Sequence, residues 1–293
     1  MAVSLFFVGA QQVSKGASLE ERLAGDYQEG ERLQILQRLI DQAPQAKKKL
    51  AQEQLKMLER KAISLVPNGE ASHALPPSRI SFDFNASFEI KGKLAKTMVM
   101  AVVKEDGYCS IYFRGRHSKV TTEVFVKAAN AINSYPCKQT LVKLNSPGGA
   151  VIEGITVGLI IRHHGWDTVA WSAANAGKPA CASSCAFTYL GGEIRYEPTE
   201  DHSFDAGQVF FHQAGATRDG EYVCDDSPQT LNSLLIYEYF KYVVPDAAIM
   251  ALGKVLNESC KNIGRSDTVD RNEYLHDQIY NSFYLTEVYT AFQ

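Results

Sequence analysis

Leu144-Asn-Ser-Pro-Gly-Gly-Ala-Val151 joins two segments of opposite character. Before it, Thr140-Leu-Val-Lys-Leu144 is an apolar run of strand length; after it, Ile152 to Ile161 reads as a helix. A chain that passes from strand to helix through Pro147-Gly148-Gly149 exposes backbone N–H groups where no side chain blocks approach. The helix start that follows favours negative charge. A phosphate, a developing oxyanion and a plain tight turn all fit such a corner.

Outward from this corner the pattern alternates. Upstream, Ile80 to Ile90, Met98 to Val103 and Cys109 to Arg114 read as strands, and Thr121 to Ser134 is an amphipathic helix with Val124, Ala128, Ala131 and Ile132 on one face. Downstream, Val151 to His163 is helical, Thr168 to Trp171 a short strand, Ser184 to Leu190 a helix start, and Val209 to Phe211 another strand. Leu231 to Tyr242 and Ala247 to Leu256 read as helices. Strands and helices joined by short connections predict an α/β domain with a largely parallel sheet. At the other end, Glu20 to Gln42 and Ala46 to Leu65 read as two helices broken at Pro44. They form an N-terminal helical segment over residues 1–70, with an atypical signal as one reading of the apolar residues 1–10. A Pro/Gly-rich linker separates it from the domain at 78–293.

The bulk numbers exclude several classes. The 293 residues are 45% hydrophobic and 22% charged, as in a globular chain. A net charge of −3 argues against nucleic acid or an anionic membrane as partner. No run approaches the roughly 20 apolar residues of a spanning helix. Six cysteines occur without a CxxC pair. Cys181 and Cys185 have spacing that permits a metal pair, but no second pair accompanies them, so no metal is expected. A disulfide between these two and a pair of reduced small apolar residues fit equally well.

Chemistry concentrates in Cys181-Ala-Ser-Ser-Cys-Ala-Phe187 and Gln208-Val-Phe-Phe-His-Gln213. A serine at a helix start is commonly a cap. Here the residues around it are small, a histidine ends an apolar strand, and a glycine corner precedes both. Serine, histidine and exposed amides together are a constellation for acyl transfer.

Ser146-Pro-Gly-Gly149, Ala182-Ser-Ser-Cys-Ala-Phe187 and Phe211-His-Gln213 resemble, in order and spacing, three signatures of the ClpP protease family and its periplasmic ClpP-like relatives. The resemblance covers about residues 108–260. It implies the ClpP/crotonase fold, a spiral of ββα units, and a serine peptidase that acts on a peptide or protein, forms homo-oligomers and needs no cofactor. It assigns Ser184 as nucleophile, His212 as general base, and the N–H groups of Gly149 and Cys185 as the oxyanion hole, with Ser183 read as structural. It implies a periplasmic or secreted protein, a cytoplasmic one being the alternative. The family's acidic third member has no match at its usual place; Asn257 and Glu258 stand nearest. A ClpP-like protein that binds peptide or a partner without catalysis, and a crotonase-type acyl-CoA enzyme, are the competing expectations.

Overall fold

The computed structural model describes residues 37–69, 79–90, 92–171, 179–196, 208–210, 215–218, 221–224 and 230–244. The glycine corner lies where the sequence places it, between strand β4 (Gln139–Asn145) and helix α3 (Val151–His163). Upstream run α1 (Gln45–Leu65), β1 (Ile80–Ile90), β2 (Lys93–Val103), β3 (Tyr108–Arg114) and α2 (Lys119–Asn133). Downstream run β5 (Asp167–Ala170), β6 (Pro179–Ala182), α4 (Ser184–Leu190), β7 (Arg195–Tyr196), β8 (Gln208–Phe210), β9 (Gly215–Arg218), β10 (Glu221–Cys224) and α5 (Leu231–Val243).

Among the described residues the main sheet has six strands in the order β1-β2-β3-β4-β5-β7. β1, β2 and β3 form an antiparallel meander; from β3 onward every pair is parallel. The change of sense follows from the connections. β1 and β2 are joined by a tight turn in which Gly92 takes φ +72°, whereas α2 and α3 carry the chain back for each parallel strand. Strand β4 alternates, with Thr140, Val142 and Leu144 buried and the residues between them half-buried. A separate parallel pair, β6-β8, meets the main sheet at an isolated bridge between Ser146 and Cys181. The architecture is a mixed α/β fold.

Local chemistry sets the helix starts. Ser118 caps α2: its hydroxyl accepts from the Thr121 N–H (3.2 Å) while the Thr121 hydroxyl accepts from the Ser118 N–H (2.7 Å). Thr230 caps α5 through the Ser233 N–H. Helix α3 is buried continuously from Gly154 to Ile161, as a helix must be when neighbours enclose it on all sides.

Helix α1 starts immediately after Pro44, the expected break. Its inward stripe is Ala51, Leu55, Leu58 and Ala62; Leu50 and Met57, also apolar in sequence, lie outside at 49% and 59% exposure. The stripe joins the same hydrophobic core as the sheet and α3. The body of the fold also holds the chain just past the helix. Asn130 Nδ2 donates to the Leu65 carbonyl, Asn133 Nδ2 to that of Pro67, and His164 Nε2 lies 2.9 Å from the Val66 carbonyl. The expected helix at 247–256, the residues before 37 and the 1–10 segment lie outside the described residues.

Among the described residues two disulfides are present, Cys109–Cys137 and Cys181–Cys185. The first spans 28 positions and ties the start of β3 to the turn after α2. A loop of that length stabilises by about 3.6 kcal/mol in the chain-entropy account. A Cys109→Ala/Cys137→Ala double variant is therefore expected to lose about 3.6 kcal/mol in urea unfolding, and the untreated native protein is expected to show no free thiol at either position.

Candidate active site

The glycine corner is held open by one residue that carries no sequence signal, His117. The His117 N–H donates to the Gly148 carbonyl (2.9 Å) and its carbonyl accepts from the Ala150 N–H (3.0 Å). The two bonds bracket Gly149, which takes φ +148°. Only glycine fits there, since a Cβ on Gly149 would lie 2.2 Å from the His117 carbonyl oxygen. The Gly148 N–H is taken by the Ser146 hydroxyl at 3.0 Å. The Gly149 N–H has no acceptor among the described residues.

Against this corner stands the turn between β6 and α4. The Ala182 N–H donates to the Ser146 carbonyl at 2.9 Å, and the Cys181–Cys185 disulfide closes the turn from the other side. Between them Ser183 takes φ +60° and ψ −125°, the one positive φ at a non-glycine among the described residues. Such a conformation costs on the order of 1–3 kcal/mol and persists only where surrounding structure over-determines it. Here it does: a Cβ on Gly148 would stand 2.4 Å from the Ser183 Cβ, so the two corners touch through the missing side chain.

The two adjacent serines have different surroundings. Ser183 is half-buried and lies against Gly148, in a corner where Pro147 and Ala150 are exposed and Gly149 half-buried. Ser184 is 0% exposed, packs against Gly154 of α3 and has a hydroxyl with no hydrogen-bond partner among the described residues. Its carbonyl sits where a side chain on Gly154 would fall, so the glycine lets α4 pack directly on α3. The N–H groups of Ser184 and Cys185, like that of Gly149, have no acceptor among the described residues.

Behind the corner lies a buried polar group. The His117 side chain is 2% exposed and stacks on Phe113 with ring centroids 4.9 Å apart. Its Nε2 lies 3.3 Å from Thr188 Oγ1, which in turn donates to the Gly154 carbonyl at 2.9 Å. With the Thr188 proton committed, Nε2–H is the donor to Thr188, and Nδ1 is left as an acceptor without a partner. Burial pushes the His117 pKa down to about 3, so the ring is neutral.

Of the residues singled out in the sequence, the structure brings Gly149, Ser184 and Cys185 to one place. Strand β8 reaches it too: Phe210 pairs with Ala182, the residue before Ser183, and His212 follows two positions later in the chain. His212, Asn257 and Glu258 themselves lie outside the described residues. Among the described residues no group of three or more His, Cys, Asp or Glu is placed to hold a metal ion, and no helix is long and apolar enough to cross a membrane. Comparison of the chain with protein-family models, with curated proteins and with solved structures found no match.

The geometry predicts two outcomes. Because the folded His117 titrates near 3 and an unfolded histidine near 6.5, the unfolded chain binds the extra proton between these values. Stability is full above about pH 6.5 and falls below it by up to ~1.4 kcal/mol per pH unit from this group. Urea unfolding from pH 7 to pH 4 measures the slope, and His117→Val is expected to remove one proton's share of it. Gly149→Ala, which drives a Cβ into backbone, is expected to lower the melting temperature and abolish any chemistry of the corner.

Proposed function

We propose that this protein is a serine-dependent peptide hydrolase of ClpP-like type, with the ββα spiral that the resemblance implies. The carrying observation is the contact between the strained Ser183 turn and the Gly148-Gly149 corner. A serine on a sharp strand-to-helix turn, held in a conformation that disfavours any side chain, is the arrangement by which a hydroxyl is presented to a substrate. This moves the nucleophile from Ser184, whose hydroxyl is sealed inside the fold, to Ser183.

In this reading the Ser183 hydroxyl attacks the acyl carbonyl of a peptide. His212 takes its proton and returns it to the leaving amine. The unclaimed N–H of Gly149 and that of the residue after the nucleophile, Ser184, hold the oxyanion, with the Cys185 N–H one position deeper in α4. Each such donor contributes about 3 kcal/mol to the transition state. Phe210 beside Ala182 supports the role of His212, because two further residues reach at most about 7 Å. Asn257 and Glu258 are the proposed orienting residues for that histidine. The two disulfides support a periplasmic or secreted setting, where such bonds persist.

Labelling of the purified full chain with a fluorophosphonate probe tests this. Labelling is expected in the native protein and in Ser184→Ala, is expected to be lost in Ser183→Ala, and is expected to slow by on the order of 10³-fold or more in His212→Ala. Labelling that survives Ser183→Ala but not Ser184→Ala would return the nucleophile to Ser184. No labelling of folded native protein would remove the hydrolase reading.

A further inference from the structure

Strand β1 ends the main sheet, and one side of its backbone has no partner among the described residues. Exposed edges are ordinarily guarded by charged side chains, above all lysine, by proline, a bulge or short length. β1 has no lysine, proline or bulge, and its only charges are Asp83 and Glu89. It runs eleven residues, Ile-Ser-Phe-Asp-Phe-Asn-Ala-Ser-Phe-Glu-Ile, in unbroken register with β2 from Ile80↔Val103 to Ile90↔Lys93.

The strand also outruns its own protein. The last β2–β3 pair is Met98↔Arg114, and Gly115 still lies against Lys96 and Thr97, so Phe88–Ile90 and their β2 partners Lys93–Ala95 project beyond the third strand as a two-stranded tongue. On its apolar face Ile80, Phe82, Phe84 and Ala86 pack against the core, while Phe88 and Ile90 do not.

The sequence of β1 is close to a palindrome about Asn85. Reading outward, Phe84 matches Ala86, Asp83 matches Ser87, Phe82 matches Phe88, Ser81 matches Glu89 and Ile80 matches Ile90. An antiparallel copy in this register puts apolar residues opposite apolar ones on one face and polar opposite polar on the other. Neither carboxylate meets a carboxylate. A slip of one residue sets apolar against polar along the whole strand. Moving the centre to Ala86 sets Asp83 against Glu89 and leaves Ile80 and Ser81 unpaired.

We propose that β1 is the two-fold interface of a homodimer, pairing antiparallel with β1 of a second copy about Asn85 and joining two six-stranded sheets into one. The pairing supplies on the order of ten main-chain hydrogen bonds. It sets the partner's Phe88 and Ile90 beside Phe82 and Ile80, continuing the row in which Phe82 meets Tyr135 at 6.0 Å. Each tongue thus packs its half-buried Phe88 and Ile90 on the other copy. The interface is independent of the serine chemistry.

The test uses the full chain from a host without N-glycosylation, since Asn85-Ala-Ser87 is an acceptor sequence. Light scattering is expected to give a mass that is an even multiple of the chain. Asn85→Lys, which places like charges on the axis at an exposed position, is expected to halve that mass with an unchanged circular dichroism spectrum. Under mild oxidation Asn85→Cys is expected to form a covalent dimer, and Ser81→Cys, opposite Glu89 of the partner, is not. A monomeric native protein, an unchanged mass for Asn85→Lys, or equal cross-linking at Ser81 would each overturn the proposal.

Discussion

The contact of Gly148 with Ser183 is the constraint on which the candidate site depends. It can form only because one corner lacks a Cβ and the other tolerates a positive φ. Neither condition is self-supporting. The glycine corner is set by the main chain of His117, and the serine turn by Ser146 and by the Cys181–Cys185 disulfide. Two strained turns thus stabilise each other through hydrogen bonds that leave three N–H groups without acceptors among the described residues.

The same logic explains why α3 is buried along its length. A helix that carries the chain from the corner must pack against α4 closely enough to hold Ser184 in place. Gly154 permits this, because any side chain there would strike the Ser184 carbonyl. Thr188 then links the pair to the buried His117 ring. The result is a packed polar seam in a hydrophobic core, which leaves two polar atoms, Ser184 Oγ and His117 Nδ1, without partners among the described residues. Unpaired buried groups of this kind cost on the order of 1–3 kcal/mol each. The close packing around them is what offsets that cost.

Much of this was legible in the chain. The strand–corner–helix reading around Pro147 held, with β4 and α3 on either side. Ile80–Ile90 alternates apolar and polar residues over its whole length and forms a strand with those ends. Helices α1 and α5 begin within a residue of their expected starts; Pro44 marks the first in the sequence, and the Thr230 cap fixes the second. The inward stripe of α1 was less legible: its alanines bury while Met57 does not, since small residues let it lie close to the body of the fold. Periodicity reports which residues are apolar, not how near the neighbouring element comes.

By itself the sequence determined the order of the elements, the position of the glycine corner and the presence of a small-residue serine segment. These are local properties, written in periodicity, turn residues and caps. Only the tertiary structure distinguished Ser183 from Ser184. They are adjacent, chemically identical and equally plausible as caps; one backbone dihedral, in a turn held by residues 146, 148 and 185, leaves Ser183 half-buried against Gly148 and buries Ser184 in the core. Only the tertiary structure revealed His117, because its role is carried by main-chain bonds to a segment more than thirty positions away, and no side-chain pattern encodes those.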